Sequence, residues 1–311
     1  MKIESDYPIN EEALINLKKL TEEYDILNSL EIQQSNANHK IHLKDSTEKK
    51  CRFCSKKYTE VNFKSISHTI PEFIGNKTLI SEFECDNCNK YFSKFENEFA
   101  NFMLPLNIFT NVKNKNNKHP KYKNKLEIYT NSENILKIKN FPDELLKNKN
   151  DFSFPLEIPS YIPDYIYRCL IKIGISLIPE EKNNINSEIL DWLMDLEKNT
   201  IFPSSMLLSI FPFKNQIDKV RVLVLERKHI TKRFIPKNII ILSYKNFAIQ
   251  TFFPISSNEN FPELLAYPYI IPTTLDLNKT LIDKKEINLV ELQDKTRIKA
   301  KKIDFHIKNL E

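Results

Sequence analysis

Hydrophobic positions in the first part of the chain recur at helical spacing. Between residues 10 and 34 the large apolar side chains stand three or four positions apart: Leu14, Leu17, Leu20, Tyr24, Leu27 and Leu30. This spacing is the period of one helical face, and Asn10 followed by Glu11 and Glu12 is a suitable helix start. The pattern predicts one long amphipathic helix and then a polar linker. The apolar face would pack either on the protein itself or on a partner or second copy.

The carboxyl-terminal half changes from helical to strand-like spacing. Residues 164–177 and 187–198 carry apolar faces of helical period, with Asp164 as a suitable N-cap and Pro179 as a stop. Later segments rich in Val, Ile and Phe predict strands: Lys219 to Glu226, Asn238 to Tyr244 and Ala248 to Phe253. The fold class expected for residues 151–311 is therefore α+β, with two helices and antiparallel strands.

Two lysine-rich clusters leave their roles open. Six lysines fall between Lys113 and Lys125, before a predicted hairpin around Asn131 and Ser132. This run would either neutralise the phosphates of a nucleic-acid backbone or form a solvated loop. A second cluster of helical character near the end of the chain is better explained as a solvated face: Lys295, Arg297, Lys299, Lys301 and Lys302.

Composition excludes several classes of protein. A chain of 311 residues with 41% hydrophobic and 28% charged residues is expected to fold as two globular domains with terminal appendages. No apolar run approaches the roughly 18 residues of a membrane helix, so no membrane partner is expected. Acidic residues precede any apolar stretch at the amino terminus, which predicts a cytoplasmic protein with reduced cysteines. Only two glycines occur, too few for a P-loop or a dinucleotide fingerprint.

The chemistry of the chain is concentrated in two Cys-x-x-Cys pairs. Cys51 and Cys54 form the first pair, and Cys85 and Cys88 form the second, with thirty residues between them. In a reducing compartment such pairs predict a tetrahedral four-cysteine zinc site. Cys169, the fifth cysteine, lies in a predicted helix and is interpreted as a small buried apolar residue.

The residues between the two pairs predict a strand, a loop and a second strand. Val61 to Ser67 has strand-like composition, and the segment His68-Thr69-Ile70-Pro71 follows it. The second cysteine pair opens a predicted helix from about Asp86 to Phe102, with Asn89 directly after the last cysteine. This order of cysteine pair, histidine, cysteine pair and asparagine resembles the HNH endonuclease family and its ββα-metal fold. The resemblance covers about 55 residues.

The resemblance implies specific roles for four residues. His68 matches the general base of the family, and Asn89 matches the helix position that binds a catalytic Mg2+ or Mn2+. Asn76 is the nearest candidate for the asparagine that fixes the loop. Glu96, on the same helical face as Asn89, is the candidate third acid. A closed four-thiolate zinc site would then be structural, and one Mg2+ or Mn2+ would be the catalytic ion.

One position departs from the family pattern. Many members place an aspartate before the base histidine as a metal ligand, and this chain has Ser67 there. The missing carboxylate would come from Glu72, Glu96 or Glu98, or the metal would be held by Asn89, one other oxygen and the phosphate itself. The alternative function is a non-catalytic zinc module with a degenerate site, which binds nucleic acid or a partner protein.

The organisation expected from these patterns has four parts. They are an amino-terminal helical segment and linker (1–48), the HNH module (49–110), a basic loop and hairpin (111–150) and the carboxyl-terminal domain (151–311). The expected activity is metal-dependent cleavage of DNA through backbone contacts, with little sequence preference. By resemblance, the setting is regulated bacterial anti-phage defence. The carboxyl-terminal domain would bind a regulatory protein or small ligand, or associate with a second copy.

Overall fold

Four helices organise the chain in the computed structural model. The model describes residues 8–33, 40–45, 50–110, 112, 121–123, 127–130, 136–140, 151–182, 185, 187–199, 204–211, 219–228, 236–254, 273, 275–279 and 285–308. The helices in these ranges are α1 Glu11–Glu23, α2 Asp86–Asn107, α3 Pro163–Leu177 and α4 Ser187–Met194. None of them is long and apolar enough to cross a membrane.

The strands of the described ranges form one large sheet and three small ones. They are β1 Tyr24–Gln33, β2 Ile41–Leu43, β3 Leu79–Ser81, β4 Lys121–Lys123, β5 Glu127–Thr130, β6 Leu136–Lys139, β7 Asp151–Ile158, β8 Ser205–Ile210, β9 Lys219–Arg227, β10 Asn238–Tyr244, β11 Phe247–Phe252, β12 Glu286–Glu291 and β13 Lys301–Lys308. The large sheet is antiparallel, in the order β1-β9-β10-β11-β8-β12. The small sheets are β13-β7, β4-β5-β6 and the parallel pair β2-β3. The predicted α+β class is confirmed.

The central strand β10 of the large sheet is covered on both faces, which explains its long apolar run. On β10, Ile239 and Ile241 face a cluster that includes Leu20 of α1. The intervening residues Ile240 and Leu242 belong to the main core, where α3 lies. A strand buried on both faces needs apolar residues at every position instead of an alternating pattern. Helix α1 therefore packs on its own protein, one of the two alternatives for its apolar face.

The prediction of a single helix through residues 10–34 is wrong for its second half. The helix ends at Glu23, and the next ten residues form β1, which pairs with β9. A bulge between Ile26 and Asn28 interrupts the alternation of this strand. A bulge adds one residue and moves later side chains by one position. The apolar residues of β1 consequently fall three apart, which imitates a helical face.

Helix α3 is buried along almost its whole surface. All of its residues except Tyr165 are buried, and its apolar side chains join the core on both sides. Asp164 was expected to cap the helix, but Ile162 occupies that position. The Asp164 carboxylate instead accepts from Arg168 Nε at 2.6 Å inside the core. The other side of α3 packs against α2.

Most of the remaining predicted elements agree with the structure. Helices α2, α3 and α4, strands β9, β10 and β11, and the β5-β6 hairpin all form where the sequence predicts them. The carboxyl-terminal basic cluster is not helical: its last two lysines begin β13. The run from Lys113 to Lys125 lies mostly outside the described residues, and Lys121 and Lys123 form the ends of β4.

Replacing Gly174 by alanine should destabilise the protein. A Cβ atom at this position of α3 would lie 2.7 Å from Ile240 Cγ1 and 2.8 Å from a ring carbon of Phe253. Overpacking of this kind costs about 1–3 kcal/mol, which exceeds the helix propensity gained from alanine. Urea unfolding of Gly174→Ala should show a lower free energy of unfolding.

The control for this measurement is Lys19→Ala, an exposed position on α1. It should leave the stability within about 0.5 kcal/mol of the wild type. Equal stability of Gly174→Ala and the wild type would contradict the close approach of α3 to β10.

Candidate active site

Four cysteine sulfurs converge at the start of α2. Cys51, Cys85 and Cys88 are buried and Cys54 is half-buried. The Sγ atoms of Cys51 and Cys88 are 3.7 Å apart, those of Cys54 and Cys85 are 3.8 Å apart, and all four lie within 4.8 Å of one another. Zinc–sulfur bonds of about 2.3 Å in a tetrahedron place the sulfurs about 3.8 Å apart. The cluster therefore fits one zinc ion.

Local backbone geometry brings the two cysteine pairs together. Ser55 adopts a left-handed conformation (φ 59°), and its amide donates to Cys51 O at 2.9 Å, which closes the first pair into a turn. Cys85 stands at the cap position of α2 and Cys88 in its first turn. A hydrogen bond from the Cys88 thiol lowers the pKa of Cys51 to about 5. The same contact raises the pKa of Cys88, and burial raises the pKa of Cys85 to about 11. Cys51 is therefore held as a thiolate, the form of cysteine that binds metal, beside thiols that would lose their protons to a metal.

The backbone of His68 is fixed against β3. His68 forms an antiparallel bridge with Ile80, and next to it Ser81 N donates to Ser67 O at 2.8 Å. The Ser67 side chain is buried. Ser67 therefore lies in the packed interior below the site.

The strand predicted for Val61 to Ser67 does not form. The amides of Lys64 and Ser65 both donate to the Asp86 carboxylate, at 2.9 and 2.8 Å. These donors are consequently used by the first residue of α2 and cannot join a ladder with β3. From this side, the residues that pair with β3 are Ser67, His68 and Thr69.

The His68 imidazole is mostly shielded, and its Nε2 atom faces a carboxylate. Its side chain is 17% exposed, and Nε2 lies 3.5 Å from Glu72 Oε1. Burial lowers the pKa of His68, because it disfavours the charged ring. Glu72 opposes this shift, and Lys40 and Lys172 add to it. The imidazole is consequently neutral near pH 7, as a group that accepts a proton must be.

Asn76 holds the loop between His68 and β3. Its amide nitrogen donates to Ile70 O at 2.7 Å and Leu79 O at 3.1 Å, and its Oδ1 accepts from the amides of Thr78 and Leu79. Gly75, just before it, has a φ of 107°, which favours glycine. The fully hydrogen-bonded Asn76 side chain is thus a loop-fixing group and is not available to a metal.

Asn89 lies in the first turn of α2, beside the segment that carries His68. It is half-buried, and its Nδ2 donates to Ile66 O, two residues before His68, at 3.5 Å. This contact leaves the Oδ1 atom of Asn89 as a hard oxygen donor. Ser93, one turn further, is exposed, and its hydroxyl donates within the helix at 2.7 Å to the Lys90 carbonyl.

The two carboxylates further along α2 have different surroundings. Glu96 is 26% exposed on the side of His68, with Oε1 at 3.6 Å from the Lys172 ammonium. Burial raises the pKa of Glu96, against the opposite effect of Lys172. Glu98 is held elsewhere: it accepts from Arg297 Nη2 at 2.5 Å and from Ile162 N at 3.0 Å. Among the expected substitutes for an aspartate at position 67, Glu72 and Glu96 lie near His68, and Glu98 does not.

Lys172 is a residue of this site that the sequence pattern did not identify. It lies on α3, and its ammonium group contacts both the His68 carbonyl and the Glu84 carboxylate, at 2.9 and 3.1 Å. A charged residue on a helix whose other positions are almost all apolar is the signal that could have identified it. Such a helix is buried on all sides, so its charges must be paired.

A second cluster of three or more metal-binding side chains is absent from the described part of the chain. The cysteine cluster is the only group of at least three His, Cys, Asp and Glu side chains with converging ligand atoms found there. Near His68, hard oxygen atoms are offered by Glu72 beside the ring, by Asn89 beside Ile66 and by Glu96 beside Lys172, each at a separate contact. Their number suits a weakly bound divalent cation that is also held by a phosphate and by water.

Two members of the carboxyl-terminal basic cluster are used in structural contacts. Lys295 Nζ donates to the carbonyls of Leu196, Glu197 and Lys198, at 2.8 to 3.0 Å. Arg297 pairs with Glu98 on α2. These cations join parts of the protein, and only the exposed lysines that follow them fit a solvated face.

Loss of one cluster cysteine should remove the metal and destabilise the fold. We expect one zinc ion per purified chain, and Cys88→Ser should lower this ratio because serine is a poor ligand for zinc. The melting temperature should fall as well, since metal binding contributes to folding. Elemental analysis and thermal unfolding measure both effects.

Cys169→Ala is the matched control, because Cys169 is buried in α3 outside the cluster. It should keep the full zinc content. A Cys88→Ser variant that retained the zinc and the melting temperature of the wild type would contradict the proposed ligand set.

Comparison with known proteins identifies the family of this part of the chain. Residues 51–104 match the family model described as HNH endonuclease. No curated protein and no solved structure matches the chain. The matched segment includes both cysteine pairs, His68 and most of α2. Residues 51–104 are therefore an HNH endonuclease domain with a four-cysteine cluster that fits zinc.

Proposed function

We propose that the protein is a divalent-metal-dependent endonuclease that hydrolyses phosphodiester bonds of DNA with little sequence preference. The observation that carries this proposal is the placement of His68. Its neutral, partly shielded imidazole lies beside Glu72 and close to the helix that carries Asn89 and Glu96. The match of this segment to the HNH endonuclease family supports the same chemistry.

The cysteine cluster contributes structure to this mechanism. Four thiolates fill the coordination of zinc and leave no position for water, so the zinc would be structural. It would hold the first cysteine pair against the start of α2. The position of Asn89 relative to the segment of His68 then follows from the cluster, since Asn89 directly follows Cys88.

The residues around His68 would divide the work of hydrolysis. His68 Nε2 accepts a proton from the attacking water, as general-base catalysis requires. Asn89 Oδ1 and the carboxylates of Glu72 and Glu96 would hold one Mg2+ or Mn2+. When bound, that ion would offset negative charge on the scissile phosphate and the leaving oxygen. Asn76 keeps the loop in place while His68 and the phosphate meet.

Several finer statements belong to the same proposal. A nucleic-acid substrate is supported by the excess of 46 Lys and Arg over 41 Asp and Glu. Double-stranded DNA and low sequence preference are part of the proposal because cations contact the phosphate backbone without reading sequence. A cytoplasmic location agrees with a cluster of free cysteines. Control by residues 151–311 through a partner protein, a small ligand or self-association, in anti-phage defence, is proposed from the sequence resemblance alone. The four-part division of the chain is proposed on the same sequence patterns.

The second candidate is a non-catalytic zinc module that binds nucleic acid or a partner protein. Two observations favour it. The buried Ser67 replaces a metal-binding carboxylate, and the described residues contain no second cluster of metal ligands. The two candidates differ in one measurable property, which is cleavage.

Replacing His68 by alanine should abolish metal-dependent cleavage. We expect purified protein to nick supercoiled plasmid in the presence of Mg2+ or Mn2+. The nicking should stop when a chelator that leaves the zinc bound is added. His68→Ala should lose about 10²–10⁴-fold in rate, the usual contribution of a general base. Its zinc content and melting temperature should equal those of the wild type.

His42→Ala is the matched histidine control. His42 is 43% exposed and pairs with Glu82 on the surface, so its loss should leave the cleavage rate unchanged. Equal cleavage by the wild type and His68→Ala would overturn the role of His68. A folded, zinc-loaded wild type that binds DNA and never cleaves it would favour the second candidate.

The activity should persist at mildly acidic pH. Burial lowers the pKa of His68 below the ordinary value of about 6.5, so the imidazole stays neutral as the pH falls through that value. The acidic limb of kcat/KM should therefore lie below pH 6.5, because it reports the pKa of the free enzyme's base. A pH series with a fluorescent DNA duplex measures it. A limb at higher pH would contradict the desolvated position of the ring.

A further inference from the structure

The Lys172 ammonium group is surrounded by acceptors from three separate segments. Lys172 is 1% exposed, and its Nζ lies 2.9 Å from the His68 carbonyl, 3.1 Å from Glu84 Oε2 and 3.6 Å from Glu96 Oε1. The contact with the His68 carbonyl is a hydrogen bond, and the Glu84 and Glu96 carboxylates form ion pairs with the same ammonium group. His68 lies in the segment of the candidate general base, Glu84 directly precedes Cys85, and Glu96 lies on α2.

Stability alone does not account for a charge in this position. Burying an ammonium and a carboxylate costs desolvation free energy that their attraction does not always recover. Apolar residues of similar volume are often equally good or better for folding. A buried charge network does fix geometry, because any shift of its members leaves a charge without a partner.

The helix that presents Lys172 is itself tied to the first cysteine pair. Arg52 lies between Cys51 and Cys54, and its Nη1 donates to the carbonyls of Ile175 and Ile178, both at 2.8 Å. The end of α3 is therefore fixed to the zinc-binding turn. One turn earlier, Lys172 is fixed to His68.

The geometry points to Lys172 as a positioning residue of the nuclease site, which holds the His68 backbone at a set distance from the Glu96 carboxylate. This inference rests on the proposed function. The strand β3 fixes the His68 segment on one side through the bridge to Ile80, and Lys172 fixes its carbonyl from α3. Without Lys172, the segment of His68 and helix α2 would each keep their own fold, but their relative position would no longer be fixed.

The site then depends on a residue far outside the HNH segment. Lys172 lies well beyond residue 104, where the matched segment ends. A displacement of α3 relative to α2 would move the His68 carbonyl away from Glu96. Any event that shifts α3 would thus change the rate of the chemical step and leave the binding of DNA intact.

The test compares a neutral double variant with variants that keep the charge. Lys172→Met combined with Glu84→Gln removes the two fully buried charges together, and Glu96, the third charge of the network, is 26% exposed to solvent. Its zinc content should equal that of the wild type, and kcat on a DNA duplex should fall about 10- to 100-fold, as expected for a displaced catalytic group. KM should not change. Glu84→Gln alone keeps the bond from Lys172 to the His68 carbonyl and should retain most of the kcat.

Arg297→Gln is the control for a purely structural role. It weakens another contact of α2 with the carboxyl-terminal region, the pair with Glu98, and does not touch His68. Its kcat should equal that of the wild type. A folded, zinc-loaded double variant with unchanged kcat would overturn the inference, and so would an equal loss of kcat in Arg297→Gln. If the double variant does not fold, Lys172→Arg replaces it in the test. We expect this variant to have full zinc content and a lower kcat than the wild type. An unchanged kcat would overturn the inference.

Amide hydrogen exchange separates this inference from the proposed function. In the double variant the amides of Thr69 and Ser81, which bond across the His68 bridge, should exchange faster than in the wild type. In Arg297→Gln they should not. This readout tests the role of Lys172 even if the wild type cleaves no DNA. Absence of cleavage would overturn the proposed nuclease function, and faster exchange in the double variant would still support the positioning contact. Unchanged exchange in the double variant would overturn the contact itself.

Discussion

The burial of α3 is the constraint on which the rest of the structure depends. The helix lies between the large sheet and α2, so its apolar residues serve two interfaces at once. On the sheet side, Gly174 allows the backbone to approach Ile240 closely. On the other side, the residues of α3 and those of the HNH segment belong to one hydrophobic core. Neither layer can move without exposing apolar surface or straining the other.

The contacts between α3 and its surroundings share a chemical character. Buried cations donate to backbone carbonyls: Arg52 to the end of α3, Lys172 to His68, and Arg168 to Asp195 after α4. Because a carbonyl group is part of the backbone, each of these hydrogen bonds fixes the position of one backbone segment relative to the side chain that contacts it. Apolar packing brings the layers together, and the cations set how they are aligned. The segment that carries His68 is aligned by a bond of the same kind, from the Lys172 ammonium group to the His68 carbonyl.

The sequence predicted the parts of the site that depend on short spacings. Both cysteine pairs, the helix after Cys85 and the choice of His68 as the candidate base follow from residues close together along the chain. It failed where the decisive partner is distant or where a local irregularity intervenes. The bulge at Ile26 turned strand spacing into helical spacing, and the Asp86 carboxylate took the amides of a predicted strand. Lys172 was missed because its partners, the His68 carbonyl and the Glu84 and Glu96 carboxylates, are distant along the chain, although the apolar composition of α3 indicates a buried helix.

The order of elements along the chain places the HNH segment between two parts of the large sheet. Strand β1 precedes the segment, and the strands that complete the same sheet follow it. The chain thus enters the segment from the sheet and returns to the sheet afterwards, so two covalent connections join the two parts. A module at the end of a chain is joined by one linker, but this segment is joined by two and also shares a hydrophobic core with α3. Cutting one linker would leave the other, and the HNH segment would stay attached to the sheet.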